Sequence, residues 1–93
     1  MKIIRINALW CPACLISKNA WKEIEKMYPN LEYIDYDYDM DEKIVQKYNV
    51  KDILPVVIVM QNEKELKRII GEKNKQELLN ELKDVLWKKY TIY

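Results

Sequence analysis

The segment Trp10-Cys11-Pro12-Ala13-Cys14 constrains this chain more than any other, because it holds both cysteines with only two residues between them. A disulfide across this spacing closes a very small loop, whereas cross-links stabilise a fold mainly when they close long loops. The pair is therefore better suited to chemistry than to holding a fold together. Proline is well tolerated in the first turn of a helix, where its missing N–H would be unpaired anyway. We therefore predict that a helix begins directly after Cys11.

Length and composition favour one soluble domain, which we predict to span residues 1–93. A formal net charge of +1 gives no electrostatic reason to expect nucleic acid or an anionic membrane as a partner. Histidine, the commonest metal ligand and general base, is missing, and the single glycine excludes a glycine-rich phosphate loop. The sequence shows neither a membrane-span pattern nor a signal-peptide pattern. We therefore expect a cytoplasmic location, where a C-x-x-C pair is more often redox-active or metal-binding than a permanent disulfide.

Hydrophobic patterning predicts the element order β-α-β-α-β-β-α. The early β-α-β half implies a parallel, right-handed crossover, and the late β-β pair implies an antiparallel hairpin. The predicted fold is therefore α/β, with a mixed four-stranded sheet and three helices covering both of its faces. The predicted strands are residues 3–9, 31–38, 56–60 and 66–70, and the predicted helices are residues 12–28, 41–48 and 74–86.

Short polar segments are predicted to begin or join these elements. Asp39 or Asp41 is expected to cap the second helix, and Asn74 is expected to cap the last one. The segment 61–63 is predicted to be the hairpin turn, although it lacks the Asn-Gly or Asp-Gly pair that marks a hairpin most clearly.

The element order, together with Trp-Cys-Pro-Ala-Cys after the first strand, resembles the thioredoxin-like family. Three further matches follow in the right order: the segment Asp37–Val50 between the second strand and its helix, Leu54-Pro55 ahead of a β-branched strand, and Gly71 before the last helix. The resemblance covers essentially the whole chain, in the smaller form of the family without its extra N-terminal strand and helix. It implies a thioredoxin-like fold.

The resemblance also implies a thiol–disulfide oxidoreductase that reduces protein disulfides. Cys11 is the expected nucleophile, because the unpaired N–H groups and the positive dipole end at an exposed helix N-terminus stabilise a thiolate. Cys14, one turn into the helix, is expected to resolve the mixed disulfide. Such a protein needs no bound cofactor, since the sulfurs carry the electrons. We expect its partners to be protein disulfides and an upstream thiol reductase, and we expect it to be a monomer.

Substrate contacts are expected at Trp10, Pro12, Ala13, Leu54 and Pro55. Trp10 would flank the reactive sulfur with a flat apolar surface. The resemblance implies a cis peptide bond before Pro55, which would make the backbone of Leu54 available to an extended substrate. Sequence alone does not support that isomer, because only about 5–6% of X-Pro bonds in folded proteins are cis.

Two departures from the family pattern bear on the chemistry. Thioredoxins usually carry a buried acid six residues before the first cysteine, and Arg5 occupies that position here. If Arg5 points towards the cysteines, it would favour a thiolate and would not relay a proton. The Thr-Val-Pro and Gly-Gly-x-Asp signatures with which glutaredoxins bind glutathione are absent, since Leu54 precedes Pro55 and Glu72 follows a lone Gly71. Glutathione is therefore disfavoured as a specific substrate.

Three alternatives remain open at the level of sequence. The same dithiol chemistry serves oxidants and isomerases, which have higher reduction potentials than reductases. A redox-silent interaction module would keep the fold without turnover. A thiolate metal site is the third alternative, but zinc usually takes four ligands and this chain offers two thiols and no imidazole. Such a site would need a dimer or carboxylate ligands.

Overall fold

A computed structural model describes residues 1–90, with side chains for residues 1–86, so that residues 91–93 of the predicted domain lie outside the described part. The observed element order confirms the order predicted from hydrophobic patterning. The strands are β1 (Lys2–Asn7), β2 (Glu32–Asp37), β3 (Val56–Gln61) and β4 (Lys64–Ile70), and the helices are α1 (Pro12–Met27), α2 (Glu42–Lys47) and α3 (Lys75–Tyr90). Within the part of the chain described, no helix is both long and apolar enough to cross a membrane.

The four strands form one mixed sheet in the order β2-β1-β3-β4. Strand β1 pairs in parallel with β2, as the β-α-β crossover predicts, and antiparallel with β3. Strand β4 completes the predicted antiparallel hairpin with β3. The central position of β1 explains its unbroken run of buried side chains, because a central strand is covered on both faces.

Side chains of β1 alternate between two separate cores. Ile3 packs with Trp21 and Ile24 of α1 and with the leucine stripe of α3, which we call the α1/α3 core. Ile4 and Ile6 face the opposite side, where α2 packs, and we call this the α2 core. Both cysteines belong to the α2 core, although the helix that follows them packs mainly in the other one. The first turn of α1 therefore lies where the two cores meet.

Of the two predicted helix caps, the one on α3 is confirmed and the one on α2 is wrong. Asn74 caps α3 as predicted: the Glu77 N–H donates to Asn74 Oδ1 at 2.8 Å, and the Asn74 N–H donates to Glu77 Oε1 at 3.0 Å. This reciprocal pair is a capping box. Asp41 lies at the N-cap of α2, but the prediction of a side-chain cap is wrong for both candidates. The Asp41 carboxylate instead accepts the Asp37 N–H at 2.8 Å.

The turn between β3 and β4 is confirmed and is tighter than predicted. Asn62 and Glu63 both have positive φ, at 49° and 66°, which is the backbone of a two-residue type I′ hairpin turn. Strand β4 consequently begins at Lys64, two residues before the predicted start at Leu66. The sequence signal was weak here because glycine usually occupies the second position of such a turn.

Candidate active site

Cys11 is the N-cap residue of α1, with an extended backbone at φ −97° and ψ 108°. Its Sγ accepts a hydrogen bond from the Cys14 N–H at 3.2 Å, so a sulfur takes the place of the oxygen that usually caps a helix. Both cysteines are free thiols. Pro12 is exposed and Ala13 half-buried on the same turn. The Cys11 sulfur therefore lies at the positive end of the helix and receives one of its unpaired N–H groups.

The prediction that Cys11 is exposed is wrong, because only 5% of its surface reaches solvent. The Cys11 N–H donates to the Ala8 carbonyl at 3.2 Å, which turns the chain back over the end of β1. Ala8 and Leu54 belong to the same buried cluster as both cysteines. This apolar cover depends on a segment more than forty residues away in the chain, and local patterning does not show it.

Cys14 is buried more deeply, with 2% of its surface exposed. Burial, with a further contribution from the neighbouring Cys11 sulfur, raises the pKa of the Cys14 thiol to about 11. Cys14 is therefore a neutral thiol near neutral pH. The two sulfurs occupy different environments: Cys11 caps the helix and accepts an N–H, whereas Cys14 lies one turn inside.

An exposed apolar rim borders the two thiols. Trp10 is 59% exposed, and its indole Nε1–H donates to Asp39 Oδ2 at 2.7 Å while the ring meets Tyr38 edge-on. Leu9 and Met40, which are 85% and 83% exposed, lie in the loops that contain Trp10 and Asp39. Sequence reasoning singled out Trp10 but missed the other two. Leu9 is the last residue of the predicted first strand, but β1 ends at Asn7 and leaves Leu9 in the loop. Met40 lies outside every predicted helix and strand, and this was the signal for an exposed apolar residue.

The loop before β3 forms the opposite side of the site. The Leu54–Pro55 peptide bond is cis, as the resemblance implies, and both residues are buried. Leu54 packs in the cluster that contains both cysteines. The Pro55 carbonyl accepts the Gly71 N–H at 2.9 Å, which ties this loop to the end of β4. Gly71 has φ 92°, a backbone conformation that favours glycine.

Arg5 does not bind either sulfur but lies on the α1/α3 face of the sheet. Its guanidinium donates two hydrogen bonds to Asp35, from Nε to Oδ1 at 2.6 Å and from Nη2 to Oδ2 at 2.9 Å. A third hydrogen bond runs from Nη1 to Glu25 Oε2 at 2.8 Å. The rings of Trp21 and Tyr33 lie 5.2 and 5.1 Å from Arg5 Cζ. Burial alone would lower the pKa of Arg5, but the hydrogen bonds to the two carboxylates outweigh it and raise the pKa. Arg5 is a permanent cation with two anionic partners.

Among the described residues, no group of three or more cysteine, aspartate or glutamate side chains is arranged to hold a metal ion. The acidic side chains at the end of β2 and in the β2–α2 loop instead accept hydrogen bonds, which are local except for the one from Trp10 to Asp39. Asp37 Oδ2 accepts the N–H groups of Asp39 and Met40 at 3.0 and 2.9 Å. The arrangement of the site is that of a dithiol at a helix N-terminus with an apolar rim.

The family model described as Thioredoxin matches residues 1–84. Thioredoxin H5 of Oryza sativa subsp. japonica is 26% identical over 69 residues, which are 74% of this chain and 50% of that protein. A bifunctional thioredoxin reductase/thioredoxin of Mycobacterium leprae (strain TN) is 32% identical over 80 residues, 85% of this chain and 17% of that protein. The chain thus spans about half the length of the rice relative.

The fold of this chain is also similar to those of solved structures. A thioredoxin from Trypanosoma brucei brucei superimposes with a TM-score of 0.83 at 27% identity, covering 92% of this chain and 74% of the other. A structure described as a malarial protein superimposes with a TM-score of 0.81 at 26% identity, covering 91% of this chain and 96% of the other. The family model and the similarity to the Trypanosoma brucei brucei thioredoxin confirm the predicted thioredoxin-like fold.

Proposed function

The chain belongs to the thioredoxin family, and we propose that it is a thiol–disulfide oxidoreductase that reduces disulfide bonds in other proteins. One observation carries the proposal: Cys11 Sγ caps α1 and accepts the Cys14 N–H at 3.2 Å. A helix N-terminus favours negative charge, and the thiolate is the nucleophile of disulfide exchange. A sulfur in this position is prepared for attack, and a second free thiol stands beside it.

The reaction proceeds through two exchanges. The Cys11 thiolate attacks one sulfur of a substrate disulfide, so that a mixed disulfide forms and the other substrate sulfur leaves as a thiolate and takes a proton from solvent. Cys14 then loses its proton and attacks Cys11 Sγ. The mixed disulfide breaks, the Cys11–Cys14 disulfide forms, and the second substrate sulfur leaves. The substrate gains two electrons and the dithiol loses two.

The proposed substrate contacts are on the first turn of α1 and the two loops beside it: Trp10, Pro12, Ala13, Leu54 and Pro55. Trp10 offers an exposed apolar surface next to Cys11 in the chain, held by its hydrogen bond to Asp39. Among the described residues, the loop and turn hydrogen bonds between backbone groups use neither the N–H nor the carbonyl of Leu54. Leu54 belongs to the same buried cluster as the cysteines, and in this proposal its backbone groups pair with an extended substrate segment.

Its partners, in this proposal, are protein disulfides and a thiol reductase that restores the dithiol after each cycle. The Mycobacterium leprae relative is named as both a thioredoxin reductase and a thioredoxin, which supports a reductase as the electron donor. The sulfurs carry the electrons, so the cycle requires no bound cofactor. We propose that the protein works as a monomer in the cytoplasm and contributes there to electron transport and redox homeostasis.

The experiment that tests this function is reduction of insulin, as a protein disulfide, with dithiothreitol as the reductant. The native protein should accelerate the reduction, and Cys11→Ser should abolish the acceleration. Asn19→Ser, an exposed substitution on the same helix, serves as the matched control and should leave the rate unchanged. If the native protein reduces insulin no faster than dithiothreitol alone, the proposed function is wrong.

A further inference from the structure

A groove of about 510 Å³ separates α1 from β2 and borders the resolving thiol. Its volume is ample for several water molecules, each of which takes roughly 30 Å³ in the liquid. The residues of its wall that matter here are Cys14, Ser17 and Glu25 of α1, Arg5 of β1, and Asp35 of β2. Cys14 and the Arg5 ion cluster therefore border the same open space.

Cys14 must lose a proton before it attacks the mixed disulfide. The thiol is 2% exposed, and the groove is an open space that it borders. Ser17, which also lines the groove three residues further along the helix, is buried, and its hydroxyl donates to the Ala13 carbonyl at 2.9 Å. Because Cys14 lies on the wall of this open groove, the groove offers its proton a path to bulk solvent.

The charge on the groove wall depends on Arg5. Glu25 and Asp35 each form an ion pair with its guanidinium, at 2.8 and 2.6 Å. With Arg5 in place, one cation and two carboxylates leave a net charge of −1. Without it, two unpaired carboxylates would face the groove. Nearby negative charge disfavours the formation of another negative charge. The side chains of Glu25 and Asp35 are 42% and 61% exposed, so solvent screens their charges and the expected effect is small.

We propose that Arg5 acts as a positioning residue for the resolving step: by holding Glu25 and Asp35 in ion pairs, it limits the negative charge of the groove wall and so favours the Cys14 thiolate. The inference rests on the proposed function, because only a resolving thiol needs this deprotonation. Arg5 touches no reacting atom. It acts through its two carboxylate partners and the field across the groove.

Other charged and titratable groups also border the groove, and they are unchanged in every variant below. Lysines lie on the α1 side and acidic groups on the β2–α2 side, so their fields partly offset each other. They are Lys18 and Lys22 of α1, Tyr36 and Asp37 of β2, and Asp41 at the start of α2.

The test follows the two thiols separately with an aromatic disulfide that releases a coloured thiolate. Attack by Cys11 releases the first coloured thiolate, and attack by Cys14 on the mixed disulfide releases the second. In Arg5→Met the second release should be about threefold slower near neutral pH, with its pH midpoint raised by about half a unit. The first release should change less. Arg5→Lys, which keeps the positive charge, should restore most of the rate.

Two variants separate the charge from the structural role of Arg5. Arg5→Met combined with Asp35→Asn removes one charge of each sign, and it should return the midpoint close to the native value. Lys67→Met breaks ion pairs with Glu81 and Asp84, which do not border the groove, and it should leave both releases unchanged. A midpoint that is equal in Arg5→Met and the native protein overturns the inference. The inference is also overturned if the pH midpoint of the double variant stays as high as that of Arg5→Met.

Arg5→Met leaves two partly exposed carboxylates without their buried cation. If that variant does not fold, a variant that keeps Arg5 takes its place. Asp35→Asn keeps Arg5 paired with Glu25 and makes the cluster neutral, so it should lower the midpoint of the second release. No shift in Asp35→Asn contradicts the inference. The two possible failures give different results. If only the inference is wrong, the native protein still accelerates insulin reduction. If the proposed function is wrong, the native protein does not accelerate insulin reduction.

Discussion

Two cysteines that are neighbours on one helical turn lie in different environments here, because Cys11 Sγ caps the helix and Cys14 is buried one turn inside it. Burial raises the pKa of Cys14 to about 11, whereas its ordinary value is 9.0. A thiol whose pKa is raised on folding binds its proton more tightly in the native state than in the unfolded state. Its contribution to stability is therefore present below pH 9 and is lost as the pH rises towards 11.

The reduced protein should accordingly lose about 2 kcal/mol of unfolding free energy between pH 9 and pH 11, beyond the loss seen without this thiol. Urea unfolding of the native reduced protein and of Cys14→Ala across this range measures the difference. The variant should show a shallower pH dependence. Equal slopes in the two proteins would show that the Cys14 thiol is not held protonated by the fold.

Removal of the resolving thiol should stop the cycle at the mixed disulfide. Cys14→Ser keeps the Cys11 sulfur at the helix cap but removes the group that releases the substrate. We expect covalent complexes with protein disulfides on non-reducing gels, which disappear on addition of dithiothreitol. Cys11→Ser is the matched control and should form few. Equal capture by the two variants would contradict the assignment of Cys11 as the nucleophile.

At the scale of the secondary-structure elements, the β3–β4 turn contains a residue in an unfavourable backbone region. Glu63 has φ 66°, where a residue with a Cβ atom is strained and glycine is not. Glu63→Gly should therefore raise the free energy of unfolding by about 0.5–1 kcal/mol, because it creates the preferred Asn-Gly turn. Glu72→Gly, at an exposed position without positive φ, should not stabilise the protein. Urea unfolding of both variants provides the comparison.

The capping box gives a second prediction at this scale. Asn74→Ala leaves the Glu77 N–H without its acceptor, and it should cost about 1 kcal/mol of stability. Glu77→Ala removes the reciprocal bond to the Asn74 N–H. Because the two side chains cap each other, the double variant should cost less than the sum of the single ones. Additive losses would show that the two bonds are independent.

Patterning along the chain was sufficient to predict the elements and their order, because helix and strand periodicities are local. It also placed Cys11 at a helix start and Asn74 at a cap. It did not predict contacts between distant segments. The Trp10–Asp39 hydrogen bond joins residues 29 apart, and Arg5 binds partners 20 and 30 residues away. The burial of Cys11 beneath Leu54 was missed for the same reason.

For the whole molecule, the arrangement of the sheet explains where the dithiol lies. Strand β1 is central, and its side chains pack alternately in the α1/α3 core and the α2 core. The loop after β1 therefore ends where these two cores meet. Helix α1 is anchored to the sheet through Trp21 and Ile24, while its first turn packs in the α2 core. The cysteines are thus held by both layers of the fold, with an apolar surface left exposed around them.

The measurement that tests the central claim most directly is an equilibrium redox titration of the Cys11–Cys14 pair against a thiol–disulfide buffer of known potential. The account predicts a reversible two-electron transition between an intramolecular disulfide and the dithiol, at roughly −220 to −280 mV. Cys11→Ser serves as the control and should show no such transition. If the native protein forms no intramolecular disulfide at any potential, the reading of this pair as a redox centre is contradicted.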